Sequence, residues 1–252
     1  MLQPHILCKK GDVAENVILP GDPQRVIRAA EFLDEAREVA FNREFRTVTG
    51  KYKGVPVTIT STGIGGVSCA IAVEELIACG GRNFLRIGSA GALQPGIKIG
   101  DLVIPIAAVR EDGTSKMYVS ENYPAVSDFE LTCCIIHTAE KLNYTYVSGI
   151  VRSHDTFYSD LQEEIVKYWS TKGILASDME TATLYTVSRL RGVRASCILN
   201  VVVGKGESLK EGISQYQTSE GAAKEGEKRE IILALEALKA YSEAEEVAKS
   251  LS

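Results

Sequence analysis

One arginine sits inside a stretch that otherwise reads as a buried strand. Residues 84–87 are apolar except for Arg86. A small-residue turn, Gly88-Ser89-Ala90-Gly91, is expected next. A second strand then begins through a tight turn at Ile99-Gly100-Asp101-Leu102-Val103-Ile104-Pro105. Burying a guanidinium is costly unless an anion meets it. A Gly/Ser turn at a strand end offers backbone N–H groups and a hydroxyl to the same anion. Strand, arginine and turn together describe a cradle for phosphate or carboxylate. The plainer alternative is a core strand whose arginine snorkels to solvent.

Strands alternate with helices along the rest of the chain, which predicts an α/β fold with a central mixed sheet between helical layers. Residues 17–20 form a short apolar strand, and Gly21-Asp22-Pro23-Gln24-Arg25-Val26 follows. Asp22 suits a helix cap and Pro23 a first turn. That helix N-terminus, with Gly21 and Arg25 beside it, favours an anion, although a plain connection with a surface arginine has the same pattern. Residues 41–45 are expected to start a strand, with Arg43 and Glu44 on opposite faces. Lys53-Gly54 predicts a hairpin turn.

Ser61-Thr62-Gly63-Ile64-Gly65-Gly66 leads into a helix over 67–78 that Gly80 should end. The glycines imitate a dinucleotide loop, but Ser68 replaces the third glycine and no acidic residue stands near position 83. A helix is predicted over 127–142, with His137 half-buried on it. A strand over 147–151 runs into a polar loop, Arg152-Ser153-His154-Asp155-Thr156-Phe157-Tyr158, where aromatic faces can stack on a base or pack under the loop. No G-x-S-x-G elbow accompanies His154-Asp155, which disfavours a serine hydrolase. After a helix over 163–170 and a short strand over 174–176, Ser177-Asp178-Met179-Glu180 opens another helix. Glu180 there is either a helix-dipole residue or an acceptor for vicinal hydroxyls. A long apolar strand spans 194–203 and includes Val202 and Val203. A polar loop over 207–218 and a helix over 219–240 complete the chain, with a frayed tail.

Composition excludes several classes. At 252 residues the chain suits one domain, read as 1–252. A net charge of −5 argues against nucleic-acid binding. No apolar run approaches the roughly 20 residues of a membrane span, and the start lacks the regions of a signal peptide. The six cysteines form no CxxC pair, and the three histidines show no metal spacing. Free thiols in a reducing cytoplasm are the expectation.

In order, PGDPQRV, NREF, STGIGG, RIGSAG, SHDTFY and SDMETATL resemble the hexameric nucleoside phosphorylases over nearly the whole chain. The similarity is greatest to the branch of uridine phosphorylases and archaeal purine/methylthioadenosine phosphorylases. It implies a three-layer αβα fold with a partly barrel-like sheet, a hexamer built as a trimer of dimers, and phosphorolysis of a nucleoside to base and ribose 1-phosphate. Inorganic phosphate is the implied co-substrate, with no metal or organic cofactor required.

Carried over by motif, Gly21, Arg25, Arg86 and Ser89 would bind phosphate, joined by Arg43 from a neighbouring subunit. His5 would reach the 5′-hydroxyl across the dimer. Met179 and Glu180 would hold the ribose, and Phe157 would pack on base or sugar. Arg86 and Glu180 would be the catalytic pair. Glu44, Ile64 and Ser68 match a monovalent-cation site, implying K⁺.

Two departures concern the base. Uridine phosphorylases follow the FY motif with a glutamine and an arginine. Here Gln162 serves as the glutamine if the loop shifts by one, and Glu163 or Glu164 replaces the arginine. Purine-acting members carry an aspartate after the long strand, where this chain has Val202-Val203-Gly204. Valine cannot protonate a purine leaving group, so the reading leans to uridine over a purine nucleoside or methylthioadenosine. A water-using nucleosidase needs no arginine cradle, and a non-enzymatic scaffold would not need Glu180.

Overall fold

The computed structural model describes residues 1–207 and 221–250. The elements in chain order are β1 (Asn16–Pro20), α1 (Pro23–Ala30), β2 (Asp34–Asn42), β3 (Phe45–Tyr52), β4 (Val55–Thr60), α2 (Gly66–Cys79), β5 (Asn83–Ala92) and β6 (Leu102–Glu111). They continue with α3 (Gly113–Tyr118), β7 (Ala125–Val126), α4 (Phe129–Lys141), β8 (Tyr146–His154), α5 (Gln162–Thr171), β9 (Ala176–Asp178), α6 (Thr181–Leu190), β10 (Arg194–Val203) and α7 (Ala222–Ser250).

The sheet is mixed. β1 lies parallel between β4 and β5, and β5 is also parallel to β10. β10 turns antiparallel onto β6, β6 and β8 are parallel, and β9 links β8 back to β5. β5, β10, β6, β8 and β9 therefore close into a ring, while β1, β4, β3 and β2 extend from it as an open sheet. Apolar side chains pack on both faces. One core gathers Cys69, Val73 and Leu76 of α2 with Leu184 and Val187 of α6. The other gathers Val26 of α1, Leu131 and Ile135 of α4, and Leu233, Leu235 and Leu238 of α7. This is the expected αβα layering.

Local signals placed several boundaries. Asp22 caps α1 by accepting from the Gln24 and Arg25 amides, with Pro23 in the first turn. Lys53 and Gly54, at φ 48° and 88°, turn β3 into β4. Gly80, at φ 119°, ends α2.

Other expectations are corrected. Gly88-Ser89-Ala90-Gly91 is no turn, because β5 runs through it, paired with β10 from Asn83 to Gly91. Arg43 and Glu44 are the tight turn of the β2–β3 hairpin, with Arg43 at φ 54°, and are not opposite faces of a strand. β8 extends to His154, so Arg152 and Ser153 are strand residues paired with Glu111's strand and with β9. The short strand after α5 falls at Ala176–Asp178, two residues later than expected. The second strand starts at Leu102. His137 is exposed. α7 begins at Ala222 and continues to Ser250, well past the expected fraying point. The expected loop lies, from residue 208 on, outside the described residues, as does the expected start of that helix.

Candidate active site

β5 carries Arg86 on the face packed by α2 and α6. Its register neighbours are Leu19 on β1 and Cys197 on β10, so the arginine lies in the interior of the sheet, 3% exposed. Its anions come from the β9–α6 connection. Arg86 Nε donates to Asp178 Oδ2 at 3.2 Å and Nη2 to Glu180 Oε2 at 2.5 Å. The snorkelling alternative is thereby excluded. The guanidinium folds back along its own strand, over Gly88. A Cβ on Gly88 would stand 2.5 Å from Arg86 Nη2 and 2.7 Å from Cζ, so only glycine leaves the space.

Asp178 is the organiser. Its Oδ2 also accepts from the Thr181 amide at 3.0 Å and the Thr181 hydroxyl at 2.7 Å, and its Oδ1 from Ser153 Oγ at 2.6 Å. Glu180 Oε1 accepts from the Gly65 amide at 2.5 Å. Burial pushes the Glu180 carboxyl up, Arg86 pulls it down and Asp178 pushes it up again, leaving it above its ordinary range. Burial also opposes the Arg86 charge, but Glu180 and Asp178 outweigh it and hold the guanidinium fully charged. Arg86 Nη1 is buried and donates to nothing among the described residues. A buried charged donor with spare capacity is suited to an incoming acceptor.

The second arginine arrives from the other face. The Asp22 cap places Arg25 in the first turn of α1, where its side chain is buried. Nη2 donates to Ser89 Oγ at 3.0 Å and Nη1 to the Ile87 carbonyl at 3.2 Å. Nε donates to Glu227 Oε2 on α7 at 2.9 Å. Residues 86–89 of β5 thus tie together Arg86, Arg25 and Ser89. Gly21 sits at the end of β1 with its carbonyl accepting from the Gly63 amide at 3.1 Å. Gly21, Gly65, Ser89 and Glu180 therefore converge at the carboxyl ends of the parallel strands, where open α/β sheets bind ligands.

His5, Arg43, Glu44, Ile64 and Ser68 form a separate rim. Glu44 Oε1 accepts from Ser68 Oγ at 2.6 Å. That bond, aided by the Arg43 and His5 charges, holds the Glu44 carboxyl below its usual range. Gly63, at φ 69°, permits the approach, since its Cβ would lie 2.6 Å from Glu44 Cγ. Ile64 is 79% exposed. Glu75 of α2 grips His5 through Nδ1 at 2.6 Å and through the backbone amide at 3.0 Å. Among the described residues, neither His5 nor Arg43 bonds to Arg86, Ser89 or Glu180 of the same chain.

At the base end, Phe157 is half-buried with its ring edge-on to exposed Tyr158, 5.0 Å between centroids. Gln162 opens α5 and Met179 precedes Glu180, both half-buried. Val202 and Val203 are buried against Ala223 and Ile99. His154 and Asp155 form no dyad. His154 Nδ1 lies 2.9 Å from the Thr156 carbonyl, while Asp155 accepts from the Gly113 amide at 2.6 Å. Among the described residues, no cluster of three or more histidine, cysteine, aspartate or glutamate side chains suits a metal ion.

Sequence reading missed Asp178 as the anchor of Arg86, and Glu227 and Glu230 behind Arg25. The two-residue spacing of Asp178 and Glu180 was a usable signal. Nothing local linked Arg25 to a carboxylate 202 residues away.

The model for the phosphorylase superfamily matches residues 15–239. A uridine phosphorylase of Thermococcus kodakarensis is 46% identical over 257 aligned positions, covering 97% of this chain and 88% of its own length. A guanosine phosphorylase of Halorubrum lacusprofundi is 44% identical, covering 79% and 82%. The crystal structure of uridine phosphorylase from Vibrio fischeri ES114 superposes with a TM-score of 0.88 at 44% identity, covering 94% of this chain and 96% of that one.

Proposed function

The chain belongs to the phosphorylase superfamily and is a nucleoside phosphorylase, and we propose that it cleaves uridine with inorganic phosphate to uracil and ribose 1-phosphate. The observation that carries this reading is the pair of buried arginines meeting on residues 86–89 of β5, with the uridine phosphorylase relatives supplying the base.

In this reading Gly21, Arg25, Arg86 and Ser89 bind phosphate, and the partner subunit's Arg43 completes the cradle. Met179 and Glu180 hold the ribose, with the partner's His5 at its 5′ end. Phosphate attacks C1′, the C1′–N1 bond breaks, and the electron pair leaves with uracil. The sugar develops positive charge as the bond lengthens, as in other glycosyl transfers. Phosphate and Glu180 stabilise it electrostatically, and fixing both reactants removes much of the entropic barrier. Gln162 offers hydrogen bonds to the base and Phe157 an aromatic surface. Val202 and Val203 supply no acid, which suits a base that departs as an anion.

A purine reading has one specific support, the guanosine phosphorylase relative. Base release from uridine, thymidine, inosine, guanosine, adenosine and methylthioadenosine, with and without phosphate, separates the two. We expect phosphate-dependent uracil release, and purine release alone would overturn the assignment.

Half-buried His5 and exposed Arg43 on one rim support a hexamer in which each site borrows them, read out as particle mass by sedimentation. The Glu44–Ser68 contact supports a K⁺ site. K⁺ is expected to raise the rate severalfold over tetramethylammonium in the natural protein and to have no effect on Glu44→Gln. Equal rates in both salts for the natural protein would remove the site. Free thiols at all six cysteines support a cytoplasmic location, and among the described residues no helix is long and apolar enough to cross a membrane.

A further inference from the structure

Behind Arg25 lies a carboxyl that the mechanism does not use. Glu230 is on α7, one turn after Glu227, and is 0% exposed. Among the described residues its oxygens accept no well-formed hydrogen bond. Among the described residues its one ion-pair contact is with Arg25 Nη1, at 3.3 Å. Glu227, by contrast, accepts from Arg25 Nε and from Arg28 Nε at 2.5 Å and Nη2 at 3.0 Å.

The charge balance gives this arrangement a consequence. With Glu230 ionised, a carboxylate stands 3.3 Å from Arg25 Nη1 in addition to Glu227, and an arriving dianion meets that further negative charge. With Glu230 protonated, that negative charge is gone and Arg25, beside Ser89, meets the anion without it. Arg25 from α1 and Glu227 from its own helix face Glu230, while Arg86 on β5 and Cys197 on β10 act on it through the sheet from the opposite layer. Burial dominates and pushes its carboxyl up to about 8, with Arg25 opposing and Glu227 reinforcing.

We propose that Glu230 is a positioning residue that couples anion binding at Arg25 to proton uptake, so that phosphate is held tightly only while Glu230 carries a proton. The inference rests on the assignment of Arg25 to the phosphate cradle. Its sign follows from linkage. The bound dianion repels a carboxylate next to Arg25, so the bound state retains the proton to higher pH than the free state. Below the free-state titration both states are protonated and affinity is flat. Above it, binding takes up a proton and affinity falls with rising pH.

Sulfate is the probe, because it stays dianionic across the range where phosphate titrates. In the natural protein the sulfate Kd is expected to rise about ten-fold between pH 7 and 9. Glu230→Gln is expected to flatten that rise, and to flatten the matching rise in phosphate KM while leaving the pH profile of the uridine KM unchanged. The same ten-fold rise in Glu230→Gln would overturn the inference. Arg25→Gln separates the two readings. If it leaves sulfate affinity intact, the cradle assignment falls. If it abolishes affinity while Glu230→Gln keeps the natural pH slope, only this inference falls. Should Glu230→Gln fold poorly, calorimetry of sulfate binding to the natural protein at pH 9, in two buffers of different ionisation enthalpy, decides. Uptake approaching one proton supports the coupling, and no uptake overturns it.

Discussion

Arg86→Gln is expected to lower kcat/KM for phosphate by about 10²–10³-fold, the size of effect seen when one preorganised donor to developing charge is removed. It should also cost stability. Arg86 is the shared cation of Asp178 and Glu180, all three buried. Removing one member of a buried ionic group costs about 3–5 kcal/mol, because the remaining charges are left uncompensated. The cost has a pH signature. Without Arg86 the buried Glu180 carboxyl is pushed further up, so the folded state holds a proton that the unfolded chain has lost, and stability falls as pH rises above the ordinary carboxylate range. Denaturant melts at pH 5 and pH 8 read this directly, and an equal deficit at both would refute the pairing. Arg86→Lys rescues little, since a point charge cannot bridge two carboxylates at once. Gly88→Ala gives an independent check. It keeps the guanidinium but places a methyl 2.5 Å from Nη2, and its activity should fall between those of the natural protein and Arg86→Gln.

Glu180→Gln is the second large effect, with a different pattern. We expect kcat for uridine to fall by about 10²–10³-fold through loss of the carboxylate that holds the ribose and faces the developing charge. Anion affinity should not fall with it. Glu180 Oε2 occupies Arg86 Nη2, and releasing that donor leaves it to the anion, so sulfate should bind as tightly or more tightly. Because the Glu180 carboxyl lies above its ordinary range, the natural enzyme should lose activity as pH falls through that raised value, where protonation removes an acceptor. The Gln variant should lack that acidic limb. A kcat loss with the limb intact would assign it to another group. The double variant with Arg86→Gln should lose far less than the product of the two single losses, because both act through one ion pair.

The elements and the chemistry were legible to different depths. Asp22, Pro23, Lys53, Gly54 and Gly80 act through their own backbone angles or caps, so their structural effects are readable from a few neighbouring residues. β10 was readable over its full length because it is buried from Ala195 onward and mostly apolar. Arg86 announced an anion simply by standing among apolar residues. The failures share a different cause. Gly88-Ser89-Ala90-Gly91 has turn composition, yet pairing with β10 keeps it extended and its glycine makes room for Arg86. Local propensity lost there to ladder hydrogen bonds and to a side-chain clash that only the folded chain defines.

By itself, then, the sequence determined the αβα class, the strand and helix signals, and the residue types gathered for an anion and a sugar. Those depend on hydrophobic period, caps and turn chemistry, all short-range. Tertiary structure alone decided that β5 passes straight through its glycines, that five strands close into a ring, and that Arg25 and Arg86 face opposite layers. It also decided which carboxylates answer them, Asp178 and Glu180 on one side and Glu227 and Glu230 on the other. Charge pairing is set by where packing brings helices from distant parts of the chain, and no local preference encodes that distance.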